Sequence, residues 1–254
     1  MSRRRWRGRR QPQACWPPAR DGLRSARRRL TYSRYDQIVL TYRDAGALIN
    51  DPRVLALGIL NYDEPFVDVS NVATLAIDQS RMDVQQLSDD LFYVRSGVAD
   101  RLARARESLP DEYQLQLKEG WRPIWVQERL WQWNLDQLRA DRPDLTDEAL
   151  RDENARLVAP PGFAPPHSTG GAVDIALLYR GQYADMGWGF NQPGEGAATA
   201  HRVAEPARQH RNVLSRAMEA AEFVNYPPEW WHWSYGDRYW AFQTSRPAGL
   251  YGPR

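Results

Sequence analysis

The stretch PPHSTGGAVDIALLY, residues 165–179, constrains the fold more than any other part of this chain. Pro160, Pro161, Pro165 and Pro166 keep the approach out of a helix, and Gly170 with Gly171 permits a sharp reversal. The run from Ala172 to Leu178 then reads as a buried strand. Alternation puts Val173, Ile175 and Leu177 on one face and Ala172, Asp174 and Ala176 on the other. A carboxylate facing the interior costs several kcal/mol, so Asp174 requires a cationic partner. A salt bridge to one of the many arginines would satisfy it.

The surrounding pattern alternates strands with helices. Residues 35–80 read as irregular structure with short extended pieces in VLALGIL and NVATLAI. From Ser88, placed to cap an N-terminus, Leu91, Val94, Val98, Leu102 and Ala105 recur at helical spacing up to Pro110. Tyr113, Leu115 and Leu117 alternate as in a half-buried strand, and Pro123 then opens a helix striped by Ile124, Trp131, Leu135 and Leu138. Arg122 sits at that junction, held extended by the following proline. A Gly-rich loop over residues 185–204 leads to a helix over 206–223 with Val213, Leu214, Ala217, Met218 and Ala221 on one face. WWHWSYGDRYWAF reads as a last aromatic strand. The element order predicts an α+β fold, a single domain over residues 31–254 with a central, mostly antiparallel sheet and flanking helices.

Residues 1–30 form an arginine-rich segment with Pro12, Pro17 and Pro18, which reads as a disordered basic tail. No apolar run of about 7–15 residues follows its arginines, so the expectation is no signal peptide, no membrane span and a cytoplasmic location. Nucleic-acid binding through that tail would need support from the aromatic C-terminal segment, which contains only Arg238; none is expected.

The single cysteine, Cys15, excludes an internal disulfide and a thiolate cluster, so any metal site must draw on the four histidines and on carboxylates. His167, seven residues before Asp174, can fold back over the strand through HSTGG, and the pair makes half of a zinc site. A structural histidine beside an aspartate is the competing reading. Glu229 and His232 stand three apart within NYPPEWWHWSYGD. In a regular strand they would face opposite sides, so a shared site requires a turn or bulge near Glu229. His210 is expected on a helix surface, and His201 in a loop away from substrate.

PPHSTGGAVD followed by EWWHWSYGDRYWA resembles the D-alanyl-D-alanine dipeptidase family of zinc peptidases, a group related to the zinc D,D-carboxypeptidases and Hedgehog domains. The pattern S-x-H-x-x-G-x-A-x-D then E-x-W-H is met at His167, Gly170, Ala172, Asp174, Glu229, Trp231 and His232. EGWRP and DMGWGFN match two further elements, and the resemblance covers roughly residues 60–254. It implies that His167, Asp174 and His232 bind one Zn²⁺ per subunit, that Glu229 is the general base and that Arg122 stabilises the oxyanion. An ordinary ion pair of Arg122 with Glu119 or Asp111 is the alternative.

The resemblance also implies a substrate-binding set at Pro165, Asn191 and Trp231. In the family a serine and an aspartate at the first two positions hold the free amino group of the dipeptide. Proline has no side-chain donor or acceptor and asparagine no charge, so affinity for a free ammonium is expected to fall. The expected partner is a small D,D-dipeptide or a peptidoglycan-derived peptide, with hydrolysis of D-Ala-D-Ala as the activity. The alternatives are a carboxypeptidase acting on amine-blocked stem peptides and a zinc-binding module without hydrolysis.

Overall fold

The computed structural model describes residues 47–70, 75–77, 88, 90–192 and 194–254. The basic segment 1–30, and residues 71–74 of NVATLAI, lie outside the described residues. The described elements in chain order are α1 (Pro52–Leu55), β1 (Gly58–Ile59), β2 (Phe66–Asp68), β3 (Ala76–Ile77), β4 (Tyr93–Arg95), α2 (Ser96–Glu107), β5 (Tyr113–Glu119), α3 (Ile124–Asp141), α4 (Asp147–Ala155), α5 (Pro166–Thr169), β6 (Ala172–Tyr179), β7 (Gln182–Tyr183), α6 (Ala207–Ala220), β8 (Val224–Asn225), β9 (His232–Ser234), α7 (Arg238–Gln243) and β10 (Ala248–Gly249).

Six strands make the central sheet in the order β3–β5–β6–β9–β8, with β7 pairing the far end of β6. The pairings β5·β6, β6·β7, β6·β9 and β8·β9 are antiparallel, while β3 runs parallel to β5. The sheet is therefore mixed. Parallel neighbours need a long crossover, and the chain between β3 and β5, which contains β4 and α2, supplies it.

One face of the sheet is apolar. Leu115 pairs with Leu177, Leu117 with Ile175 and Val173 with Trp233, all fully buried. Val98 and Leu102 of α2 and Leu214 and Met218 of α6 join the same cluster. α3 and α4 close a separate small core of Leu135, Leu138 and Leu150.

Three expectations are corrected. The helix expected from Ser88 begins at Ser96, because Tyr93–Arg95 pairs with Phe66–Asp68 as a strand. Leu91 and Val94 are buried as expected, but from a turn and a strand, so their helical spacing is incidental. The aromatic strand is only His232–Ser234, since Asp237 caps a new helix by accepting from the Trp240 amide at 2.8 Å. His210 is buried, with Nδ1 3.0 Å from the Tyr113 hydroxyl. Its neighbours on α6 face the sheet, and a tyrosine hydroxyl there satisfies the ring. No helix among the described residues is long and apolar enough to cross a membrane.

Gly170 ends α5 at φ +72°, where only glycine is unstrained, and a Cβ there would lie 2.5 Å from the Phe66 ring. Gly170→Ala is expected to lower stability by about 1–3 kcal/mol. Urea unfolding of the two proteins measures this, and an unchanged midpoint would refute the account.

Candidate active site

The polar face of the sheet is assembled by register. Residues paired across antiparallel strands share a face, and Asp174 pairs with Glu119 on one side and His232 on the other. Glu119 reaches that face only through a bulge. Regular alternation would set it with Leu115 and Leu117, but the register shifts between Leu117 and Glu119, so Lys118 is the extra residue and Glu119 is turned toward Asp174.

His167 arrives from α5. Its Nδ1 lies 2.8 Å from the Gly120 carbonyl, which can only accept, so Nδ1 carries the proton and Nε2 presents its lone pair. Gly120 can approach because it has no side chain; a Cβ would lie 2.6 Å from the Tyr93 carbonyl. His167 Nε2 is 3.1 Å from His232 Nδ1 and 3.3 Å from Asp174 Oδ1, and His232 Nδ1 is 3.1 Å from Asp174 Oδ1. All three side chains are buried.

These separations test the donor set against a metal. Zinc bonds of about 2.0–2.1 Å in a tetrahedron set ligand atoms roughly 3.3–3.4 Å apart. The observed triangle is within a few tenths of an ångström of that spacing. Two imidazole nitrogens and one carboxylate suit zinc rather than calcium or magnesium, which take oxygen ligands. The three residues thus form one Zn²⁺ site per subunit with a fourth position for water or substrate.

Asp174 and His167 also shift each other's titration. Burial works to raise the Asp174 pKa, but His167 and His232 outweigh it and hold the carboxyl well below the usual range. Burial opposes the His167 imidazolium, yet the Asp174 carboxylate prevails and raises that pKa.

Glu229 lies in the turn entering β9, where its amide donates to the Tyr226 carbonyl at 2.9 Å and its carbonyl accepts from the His232 amide at 3.2 Å. That turn brings Glu229 and His232 to one side, as their spacing required. Glu229 Oε2 is 4.0 Å from His232 Nδ1, beside the ligand triangle but not part of it. Burial pushes its carboxyl up to about 7, against the opposing pull of His232.

Arg122 makes the ion pair with Glu119 that the sequence left open, and its charge also acts on His167 and Glu229. Nε and Nη2 donate to the two Glu119 oxygens at 2.6 and 2.9 Å, and Nη1 donates to Gln127 Oε1 at 2.8 Å. The guanidinium is thereby fixed in plane beside the metal ligands. Gly120 and Gln127 escaped the sequence reading, whereas the pairing of Arg122 with Glu119 stood in it as an alternative. No feature of the sequence marked either of them.

Pro165 is buried and precedes α5, its carbonyl accepting from the Ser168 amide at 3.0 Å. Trp231 is buried with its side chain hydrogen-bonded to Glu229, and the Phe190 ring lies 5.4 Å from it. Asn191, next to Phe190, is exposed with φ +55°. His201 is half-buried, its ring 6.5 Å from that of Trp188.

An α+β domain that offers a His₂Asp centre with an open position, flanked by a carboxylate and an arginine, defines a zinc metallopeptidase. Residues 60–246 match the family model of the M15 peptidases, described as D-ala-D-ala dipeptidase, and the chain belongs to that family. A D-alanyl-D-alanine dipeptidase of Synechocystis sp. is 31% identical over 183 residues, covering 61% of this chain and 74% of the relative. Those of Escherichia coli K12 and Enterococcus faecalis V583 are 38% and 32% identical over shorter stretches, 26% and 31% of this chain and 35% and 43% of theirs. A solved chain described as VanYB in complex with D-Alanine-D-Alanine covers 76% of this chain and 94% of its own, at 17% identity and a TM-score of 0.41.

Metal analysis of the purified protein is expected to find one zinc per chain. His167→Ala, Asp174→Ala and His232→Ala should each lose most of it, because two ligands cannot hold the ion at micromolar concentrations. Full zinc content in any of the three would remove that residue from the ligand set.

Proposed function

We propose that this protein hydrolyses the peptide bond of D-Ala-D-Ala, with His167, Asp174 and His232 holding Zn²⁺, Glu229 as general base and Arg122 facing the developing oxyanion. The observation that carries this reading is the placement of Glu229. It is close enough to the ligand triangle to exchange a proton there, yet outside the triangle and raised by burial toward neutral pH. Bound zinc supplies Lewis-acid polarisation of the scissile carbonyl and lowers the pKa of water from 15.7 toward about 7.

The chain's own groups do the rest. Glu229 accepts a proton from the attacking water and returns it to the leaving amine, a two-way transfer that a group titrating near the working pH performs best. Arg122 keeps its charge at any working pH, and Glu119 with Gln127 sets its plane before substrate arrives. A donor that is already oriented costs no reorganisation when the oxyanion forms. A binding module without chemistry would need neither group.

Trp231, hydrogen-bonded to Glu229, makes up the proposed substrate-binding set with Pro165 and Asn191. A second reading follows from the last two. Pro165 has no side-chain acceptor, and Asn191 offers an exposed, uncharged amide, so neither provides the negative charge that pairs with a free ammonium. An amine-blocked D,D-peptide derived from peptidoglycan fits that chemistry better than the free dipeptide.

Incubation of the zinc-loaded protein with free and with N-acylated D-Ala-D-Ala, scored by alanine release with and without a chelator, tests both readings. Chelator-sensitive release from either is expected, and faster release from the acylated peptide selects the second reading. No release from either refutes the peptidase assignment. Glu229→Gln should retain zinc and lose at least about 10²–10⁴-fold in kcat, the range for a positioned general base. Loss of zinc instead would make Glu229 a ligand.

A further inference from the structure

Arg211, on α6, is buried and its donors all go to main-chain carbonyls. Nε donates to Met186 O at 2.8 Å, Nη1 to Ala198 O at 2.8 Å and more weakly to Thr199 O at 3.5 Å, and Nη2 to Gly196 O at 2.7 Å. A buried guanidinium ordinarily finds a carboxylate, because desolvation is costly. Here the carbonyl dipoles of Met186 and of Gly196, Ala198 and Thr199 take that place. Their burial of the cation lowers its pKa to about 10, still well above neutral, so it stays charged.

The carbonyls Arg211 gathers belong to the segment that holds the base. Ala197 O, between two clamped carbonyls, accepts from the Trp230 amide at 2.9 Å. Thr199 donates through its amide to Pro227 O at 2.8 Å and through its hydroxyl to Asn225 Oδ1 at 2.5 Å. Asn225 Nδ2 in turn donates to the carbonyls of Glu229, at 3.1 Å, and His232, at 3.0 Å. A continuous path of hydrogen bonds therefore runs from one helix arginine, through the loop, to the backbone of both the base and a metal ligand. The Glu229 turn has only two residues of β8 before it and three of β9 after it, so regular sheet pairing alone gives it little support.

We propose that Arg211 is a positioning residue for catalysis, fixing the turn that carries Glu229 by clamping the carbonyls of Met186, Gly196 and Ala198. It touches neither substrate nor metal. The proposal rests on Glu229 acting as the base in the peptidase reading above. Lysine at this position keeps the charge, but a single ammonium cannot present the planar fork that spans three carbonyls.

The test compares zinc-loaded wild type with Arg211→Lys and Arg211→Met, using steady-state kinetics, zinc content and amide hydrogen exchange. The expected result for Arg211→Lys is full zinc, KM within about twofold and kcat reduced about 10–100-fold, as for a base displaced by a fraction of an ångström to an ångström. The Thr199 and Trp230 amides should exchange at least about tenfold faster while those of β5 are unchanged. Unchanged kcat, or exchange that accelerates equally in β5, would overturn the proposal, the latter by showing a general loss of stability. If Arg211→Met does not fold, Arg211→Lys decides alone. If wild type turns over neither D,D-peptide, the peptidase reading fails, and unaltered exchange at Thr199 and Trp230 would separately refute the clamp.

Discussion

A carboxylate set in the middle of a buried strand is the constraint on which this structure depends. Asp174 sits between the fully buried Val173 and Ile175, and an unpaired charge there would cost several kcal/mol, a large share of the net stability of a domain. The two imidazoles and the metal they imply offset that cost. To meet Asp174 they must come from elements far apart in sequence: His167 from the short helix before the strand, His232 from the strand paired on its other edge. The central sheet is thus both the scaffold and the reason the ligands converge.

The supports around this centre share one device. Arg95, buried, donates to the carbonyls of Thr169 at 2.9 Å, Glu64 at 2.7 Å and Gly252 at 3.2 Å, and so ties down the end of the short helix that carries His167. Arg211 does the same for the loop against which Glu229 rests. Arg122 alone among these three is held by a carboxylate, Glu119. The division is physically sensible. An irregular loop buries carbonyls that no strand or helix satisfies, and a five-donor guanidinium satisfies several at once.

Much of the centre was legible because its chemistry conflicts with its surroundings. An aspartate inside an apolar strand, a histidine between prolines and glycines, and a Glu-x-x-His pair amid tryptophans each break a local rule, and such breaks mark functional sites. The positions of Gly170 and β6 followed from backbone limits that act within a few residues. The start of α2 and the end of β9 did not follow. Leu91 and Val94 satisfy helical spacing equally well as turn and strand residues, and only the pairing of Tyr93–Arg95 with Phe66–Asp68 decides between the two. His210 looked like a surface residue because its partner, Tyr113, lies on β5, far away in sequence.

By itself, the sequence determined the α+β class and the central strand and, in His167 and Asp174, half of a metal site, since residue type and local spacing reach that far; His232 as third ligand and the roles of Glu229 and Arg122 came from the resemblance to the dipeptidase family. Tertiary structure alone decided how that chemistry is aimed. The parallel edge strand, the bulge at Lys118 that turns Glu119 toward Asp174, the Gly120 carbonyl that sets the His167 tautomer and the Arg211 clamp behind Glu229 all depend on contacts between distant segments. No local pattern encodes them, because each partner lies on another segment of the chain.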